Sequence, residues 1–172
     1  MSCLKNAQEI TGISLLDRAF HYGDGCFSTA RVRDGAIELQ ALHMARLSLT
    51  CERLKLKVDL SLIQQSLSVL EQQCVQLNGT LKIIISRGDG QRGYRLPDHV
   101  ADVWVFFYPH AVQDFEIQKT KSGVLQQALG LTMPSLVGLK TLNRLEQVLL
   151  KHEANQKDWE EALVTDVQGS VV

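Results

Sequence analysis

One lysine stands where an amine could act as a nucleophile or a base. Lys140 lies in Gly138-Leu139-Lys140-Thr141-Leu142-Asn143-Arg144-Leu145-Glu146-Gln147, and Leu142, Leu145 and Leu149 come at three- and four-residue steps. That spacing predicts an amphipathic helix and turns Asn143, Arg144 and Glu146 elsewhere. Lys140 then sits at the helix mouth, at a strand-to-helix or loop-to-helix junction against apolar neighbours. Desolvation lowers a lysine's pKa from its free value of about 10.4, freeing the neutral amine that attacks carbonyls. The residue types alone leave a second reading open, a solvated lysine in a helix's first turn.

The remaining chemistry-bearing residues are read against plainer roles. Thr29 and Arg31 share one face of a strand, because side chains alternate with period two; solvent-facing hairpin positions fit them equally. His43, Arg46, Thr50, Arg53 and Lys57 form one basic stripe of a helix opposite Met44, Leu47, Cys51 and Leu54. Such a stripe is ordinarily the wet face, and His43 reads as a packing or surface residue. Ser86 to Pro97 is a polar loop with three glycines. The pattern G-x-x-x-x-G-K-[ST] is absent and no helix pattern comes after it, which argues against a nucleotide-phosphate cradle.

Composition narrows the classes further. A net charge of −1 gives no field for nucleic acid or an anionic membrane, so a bound anion must be held by local arginines. Cys3, Cys26, Cys51 and Cys74 lie more than about 20 residues apart with no C-x-x-C pair, against a zinc site and in keeping with reduced thiols. There is no apolar leader and no run of about 18 apolar residues. The expected location is the cytoplasm, with no membrane or nucleic-acid partner.

Three ordered segments carry a resemblance. Asp17-Arg18-Ala19-Phe20-His21-Tyr22-Gly23-Asp24-Gly25-Cys26-Phe27, then Ser86-Arg87-Gly88 through Arg92-Gly93-Tyr94, then the Lys140 segment resemble the class IV, branched-chain-aminotransferase-like pyridoxal-phosphate enzymes. The likeness runs from about residue 14 to the last residue. It implies fold type IV, an α+β architecture with an N-terminal α/β sandwich-like domain and a larger C-terminal cofactor domain. It implies pyridoxal 5'-phosphate bound covalently by Lys140, a small-molecule substrate, a homodimer and no required metal. Arg46, in His43-Met44-Ala45-Arg46-Leu47, matches the family arginine that holds the cofactor phosphate; a planar guanidinium suits that task. Thr29 falls on the strand that lines the site's floor, as a substrate contact able to assist proton delivery. The loop with Arg92 and Tyr94 would reach across the dimer as candidate contacts for substrate carboxylate. The wording Asn143-Arg144-Leu145-Glu146-Gln147 favours the family's lyases, with transamination of D- or branched-chain amino acids as the alternative. Outside enzymes stands a non-catalytic fragment or scaffold.

A small set of elements must position these residues. Residues 1–16 form an opening strand or arm, and Tyr22 to Gly25 a tight turn. Cys26 to Val32 and Ala36 to Leu39 form a hairpin around Arg33-Asp34-Gly35. Helices are expected over 41–57 and 61–77, the second capped by Asp59 or Ser61, carried by Ile63, Leu67, Leu70, Cys74 and Leu77, and ended by Asn78-Gly79. Leu81 to Ile85 and Asp102 to Tyr108 are strands. A domain of 1–112, a linker of 113–122 and the start of a second domain over 123–172 complete the division. In the last part Gly123 to Leu129 is a strand, a helix runs from Leu142 to near Gln156, and Glu161 to Asp166 is a buried strand. Val167 to Gly169 then turns, and the chain stops three residues into a return strand, leaving an apolar edge unpaired. The sequence therefore reads as the front part of a longer protein, without the glutamate that in the resembled family pairs with the cofactor's pyridine nitrogen.

Overall fold

The computed structural model describes residues 1–73, 76–112, 119–126, 134–166 and 168–171. Cys74 and parts of the connections around residues 113–118 and 127–133 lie outside the described residues. Two compact units form, one of residues 1–113 with 139–142, the other of 114–138 with 143–172.

The first unit opens with β1 (Ser2–Lys5) and β2 (Gln8–Glu9). A five-residue helix, α1 (Arg18–Tyr22), comes next; the Asp17 carboxylate caps it by accepting from Ala19 N–H at 2.8 Å. Gly23 ends α1 in the left-handed region at φ 63°, which a side chain would oppose. Then come β3 (Gly25–Arg33) and β4 (Ala36–Ile37), joined by Asp34 and Gly35, both at positive φ. That is the primed hairpin turn which Asp-Gly favours. The return strand is shorter than its sequence suggests, because Leu39 turns left-handed and opens the next helix.

Two helices, α2 (Gln40–Arg53) and α3 (Ser61–Gln73), then lead into β5 (Gly79–Ser86) and β6 (Asp102–Pro109). The expected helix over 41–57 ends four residues early. Lys55 is left-handed at φ 55°, so Lys57 leaves the basic stripe and pairs with Asp98 at 2.6 Å. The Asp59 carboxylate takes Ser61 N–H at 2.9 Å at the entrance to α3. The six strands form one sheet in the order β2-β1-β6-β5-β3-β4. Alternation divides it into two faces. Cys26, Ser28, Ala30 and Val32 of β3, with Leu81, Ile83, Ile85, Val103, Val105 and Phe107, are buried on one. Their core is completed by Leu47 and Cys51 of α2 and by Ile63, Leu67 and Leu70 of α3. Phe27, Thr29, Lys82, Ile84, Trp104 and Phe106 occupy the other face, in cross-strand register Phe27–Ile84–Trp104 and Thr29–Lys82–Phe106.

The entrance to β3 is held by charge. The Asp24 carboxylate accepts from Arg18 Nε and Arg87 Nε, each at 2.8 Å, and both guanidiniums are almost fully buried. Arg87 also donates to the Lys55 and Leu54 carbonyls at 3.0 and 2.7 Å, satisfying the frayed end of α2.

The second unit is a β-α-β arrangement: β7 (Ser122–Gln126), a short 3-10 turn (Pro134–Leu136), α4 (Leu145–Gln156) and β8 (Glu161–Thr165). The strands run parallel, which requires a crossover of the kind α4 supplies. The helix starts three residues later than Leu142. The expected buried strand is corrected too, since Leu163 of β8 is 60% exposed. After β8, the Asp166 carboxylate takes Gln168 and Ser170 N–H at 2.8 and 2.9 Å, and Val171 bridges back to Thr165. That is the start of a return strand.

Removing the charge at Asp24 strands two buried guanidiniums. Asp24→Ala is expected to cost about 3–5 kcal/mol of stability, the range for breaking a buried ion pair from one side. Urea unfolding measures it; a loss below about 1 kcal/mol means the cluster is not what holds this corner.

Candidate active site

Lys140 is set on the edge of β3 rather than at a helix mouth. The N-terminal half of β3 has a free edge there, since β4 covers only Val32 and Arg33. Residues 139–142 fill it: Phe27 N–H donates to the Lys140 carbonyl and Leu142 N–H to the Gly25 carbonyl, both at 3.0 Å. These bonds flank an antiparallel bridge between Cys26 and Thr141. Thr141 is buried on the core side with Cys26, so Lys140, one residue away, turns to the side of Phe27. Its Nζ stands 4.4 Å from the centroid of the Phe27 ring. Gly25 permits this approach, because a Cβ there would meet the Ile85 carbonyl oxygen at 2.2 Å and Leu142 Cδ1 at 2.8 Å.

Thr29 lies on this same face, exposed and two residues along from Phe27. Lys82, its cross-strand neighbour, brings Nζ to 5.6 Å from the Phe27 centroid. The face continues into a cavity of about 740 Å³ lined by Ile84, Trp104, Phe106, Phe20 and Leu142 among others. Its walls are mostly apolar, with Thr11, Asp17 and Ser86 among them, the usual setting for a small-molecule site.

Arg46 projects from α2 on the other side of β3. Its Nη2 donates to Ser28 Oγ at 2.6 Å and lies 3.2 Å from His43 Nδ1, while Ser28 Oγ is 2.8 Å from the same Nδ1. The buried Nε has no partner among the described residues. Burial, and then the Arg46 charge, hold the His43 pKa below its ordinary 6.5. Arg92 and Tyr94 are exposed on the loop between β5 and β6. That loop is not a loose hairpin, because it is held near its middle. Arg18 Nη1 donates to the Gly93 carbonyl at 2.9 Å, Gly93 N–H donates to Tyr22 Oη at 3.1 Å, and the Tyr94 ring lies 5.6 Å from that of Tyr22.

The structure therefore brings Lys140 and Thr29 to one face of β3. It sets Arg46 on the strand's other side, and holds Arg92 and Tyr94 on a separate loop. Sequence reasoning missed Phe27 as the ring beneath the lysine, Lys82 beside it, and Ser28 with His43 as the partners of Arg46. The three-residue spacing of His43 and Arg46, which puts them on one helix face, was the available signal.

A six-stranded sheet with two helices on one face, and a lysine on the edge of its third strand, is an architecture shared with the fold type IV proteins. Residues 25–172 match the family described as amino-transferase class IV, and the chain belongs to that family. It is 32% identical over 168 residues to an aminodeoxychorismate lyase from Vibrio harveyi, covering 94% of this chain and 60% of that protein. Among solved structures it is similar to 4-amino-4-deoxychorismate lyase from Pseudomonas aeruginosa, with a TM-score of 0.82 and 32% identity over 99% of this chain and 63% of that one. The PLP-bound form of a hypothetical aminotransferase from Mycobacterium tuberculosis shares the fold, with a TM-score of 0.77 at 21% identity over 99% of this chain and 64% of that one. The chain thus spans about 60% of the length of these relatives.

The lowered pKa of His43 sets a sign for stability. The folded chain resists protonating this ring, so the unfolded chain binds more protons between the folded pKa and 6.5. The contribution is full above about pH 6.5 and is lost as pH falls through that window. Thermal melts of the wild type and His43→Asn from pH 8 to 5 check it. The wild type is expected to lose the larger increment of Tm on acidification; equal slopes reject the assignment.

Proposed function

We propose that this chain carries the lysine side of the active site of a pyridoxal-5'-phosphate-dependent lyase. The reaction is conversion of 4-amino-4-deoxychorismate to 4-aminobenzoate and pyruvate, a step of folate synthesis, in a cytoplasmic homodimer. The observation that carries this reading is the placement of Lys140 over Phe27, on the same sheet face as Thr29 and beside an apolar cavity. The 32% identity to an aminodeoxychorismate lyase supports the choice of substrate.

The residues present fit the cofactor. A buried Arg46 Nε–H without a partner among the described residues is a donor suited to a phosphate oxygen. An amine held by its backbone to a strand edge, over an aromatic ring, suits covalent attachment. When bound, the cofactor supplies the electron sink that stabilises negative charge on the amine-bearing carbon. Lys140 Nζ, as a neutral amine, would take the proton from that carbon. To the Thr29 hydroxyl, two residues along the same face from Phe27, we assign passing a proton to the departing enolpyruvyl group as its C–O bond breaks. Arg92 and Tyr94 are proposed as carboxylate contacts delivered across the dimer.

The absorption spectrum of the chain with added pyridoxal phosphate tests the site. A long-wavelength band is expected in the wild type and absent in Lys140→Ala, and borohydride should fix the label on Lys140 alone. In the active protein Lys140→Ala should lower turnover by about 10²–10⁴-fold or more, the range for losing a general base. Thr29→Val should slow turnover while leaving cofactor binding in place. Pyruvate and 4-aminobenzoate appearing without an amino-acid co-substrate support the lyase. Formation of 2-oxo acid that depends on an amino acceptor would establish transamination instead.

A further inference from the structure

The Arg46 guanidinium is gripped from one side only. Ser28 is fully buried on the core face of β3, and His43 stands one helical turn before Arg46 on α2. An arginine N–H can only donate, so the 3.2 Å approach of Nη2 to His43 Nδ1 requires that Nδ1 carry a lone pair. Ser28 Oγ accepts from Nη2 at 2.6 Å and has one hydrogen left, which its 2.8 Å distance directs to the same Nδ1. The network is thus directional, from Arg46 through Ser28 to a neutral His43 whose proton lies on Nε2. It satisfies Nη2 and leaves the buried Nε–H without a partner among the described residues. A buried donor left unmet is costly, so its persistence points to a ligand that meets it.

We infer that Ser28 and His43 form a polar bracket that fixes the Arg46 guanidinium and presents its Nε–H to an oxyanion, which makes His43 a positioning residue for the phosphate group of the cofactor. The inference rests on the reading that Arg46 takes that phosphate, and it adds a role for two residues that touch only the arginine. A long, flexible arginine loses less freedom on binding when its fork is already oriented. The lowered pKa of His43 agrees, because a protonated ring would set a second cation against Arg46. Asparagine is the conservative replacement, since its Oδ1 can accept where Nδ1 accepted.

Dissociation constants of pyridoxal phosphate and of pyridoxal, which lacks the phosphate, are measured for wild type, His43→Ala, His43→Asn and Arg46→Ala. Tryptophan fluorescence reports binding independently of turnover. His43→Ala is expected to weaken pyridoxal phosphate by about tenfold or more, the scale on which outer-shell partners act. It should leave pyridoxal within about twofold, and His43→Asn should recover most of the loss. In the His43→Ala, Arg46→Ala double variant the two losses should not add. Equal loss for both ligands, no loss, or additive losses overturn the bracket. A wild-type chain that binds neither ligand overturns the cofactor reading, and the bracket is then judged by NMR of the Arg46 Nε–H during titration with inorganic phosphate. A shift present in the wild type and abolished in His43→Ala sustains it; no shift, or the same shift in both, removes it.

Discussion

The arrangement depends on two backbone hydrogen bonds that add residues 139–142 to the open edge of β3. They turn a lysine distant in sequence into a fixed neighbour of Phe27, with its side chain committed to one face by strand alternation. A lysine on a helix's first turn could swing through several rotamers in water. One whose carbonyl is bonded to a central strand has its Cα fixed, and only the side chain remains to be ordered. Gly25 is the local condition for this pairing, because no side chain fits between β5 and Leu142 at that point.

Behind that edge stands the buried carboxylate of Asp24. One acidic group gathers two arginines from separate segments, and each directs its remaining donors to backbone carbonyls: Arg18 to the loop at Gly93, Arg87 to the end of α2. Partners on every side are what make a buried charge tolerable. The cluster ties together the entrance to β3, the exit from β5, the end of α2 and the middle of the loop carrying Arg92 and Tyr94. Asp17 adds a further link, capping α1 while taking the Ser86 hydroxyl. The side chains of Arg92 and Tyr94 stay exposed while the backbone of Gly93 between them is fixed, a division common where loops stand on a rigid frame.

The two sides of β3 are built for different tasks. Toward the helices it is core, with one polar interruption where Ser28 meets His43 and Arg46. Toward the other face it is an aromatic and apolar floor carrying Lys140, Lys82 and Thr29. A single strand with strict alternation thus meets Arg46 on one side and Lys140 on the other. The second unit is built more sparsely. Its two parallel strands and one helix fully bury only Leu125 and Ala154 among the described apolar residues.

Much of this was legible in the chain. The Asp-Gly hairpin, the apolar stripes of α2 and α3, and the β-rich runs of β5 and β6 declared themselves because they depend on local periodicity and turn chemistry. Membership of the class IV aminotransferase family was legible from three ordered segments, and the roles proposed for Lys140 and Arg46 come from that likeness. Helix ends were not, because left-handed residues such as Leu39 and Lys55 are imposed by the packing of neighbouring elements rather than by their own propensity. The helical period misplaces Lys140 for the same reason: Leu142, Leu145 and Leu149 do show that period, but the free edge of β3 captures residues 139–142. Phe27 under the lysine, Lys82 across from Thr29, and Ser28 bonded to His43 all join residues from different elements. Sequence determined which residues could do chemistry and the local elements that carry them. Only the tertiary structure decided which of them meet, since strand register and edge pairing are set by the burial of the whole sheet.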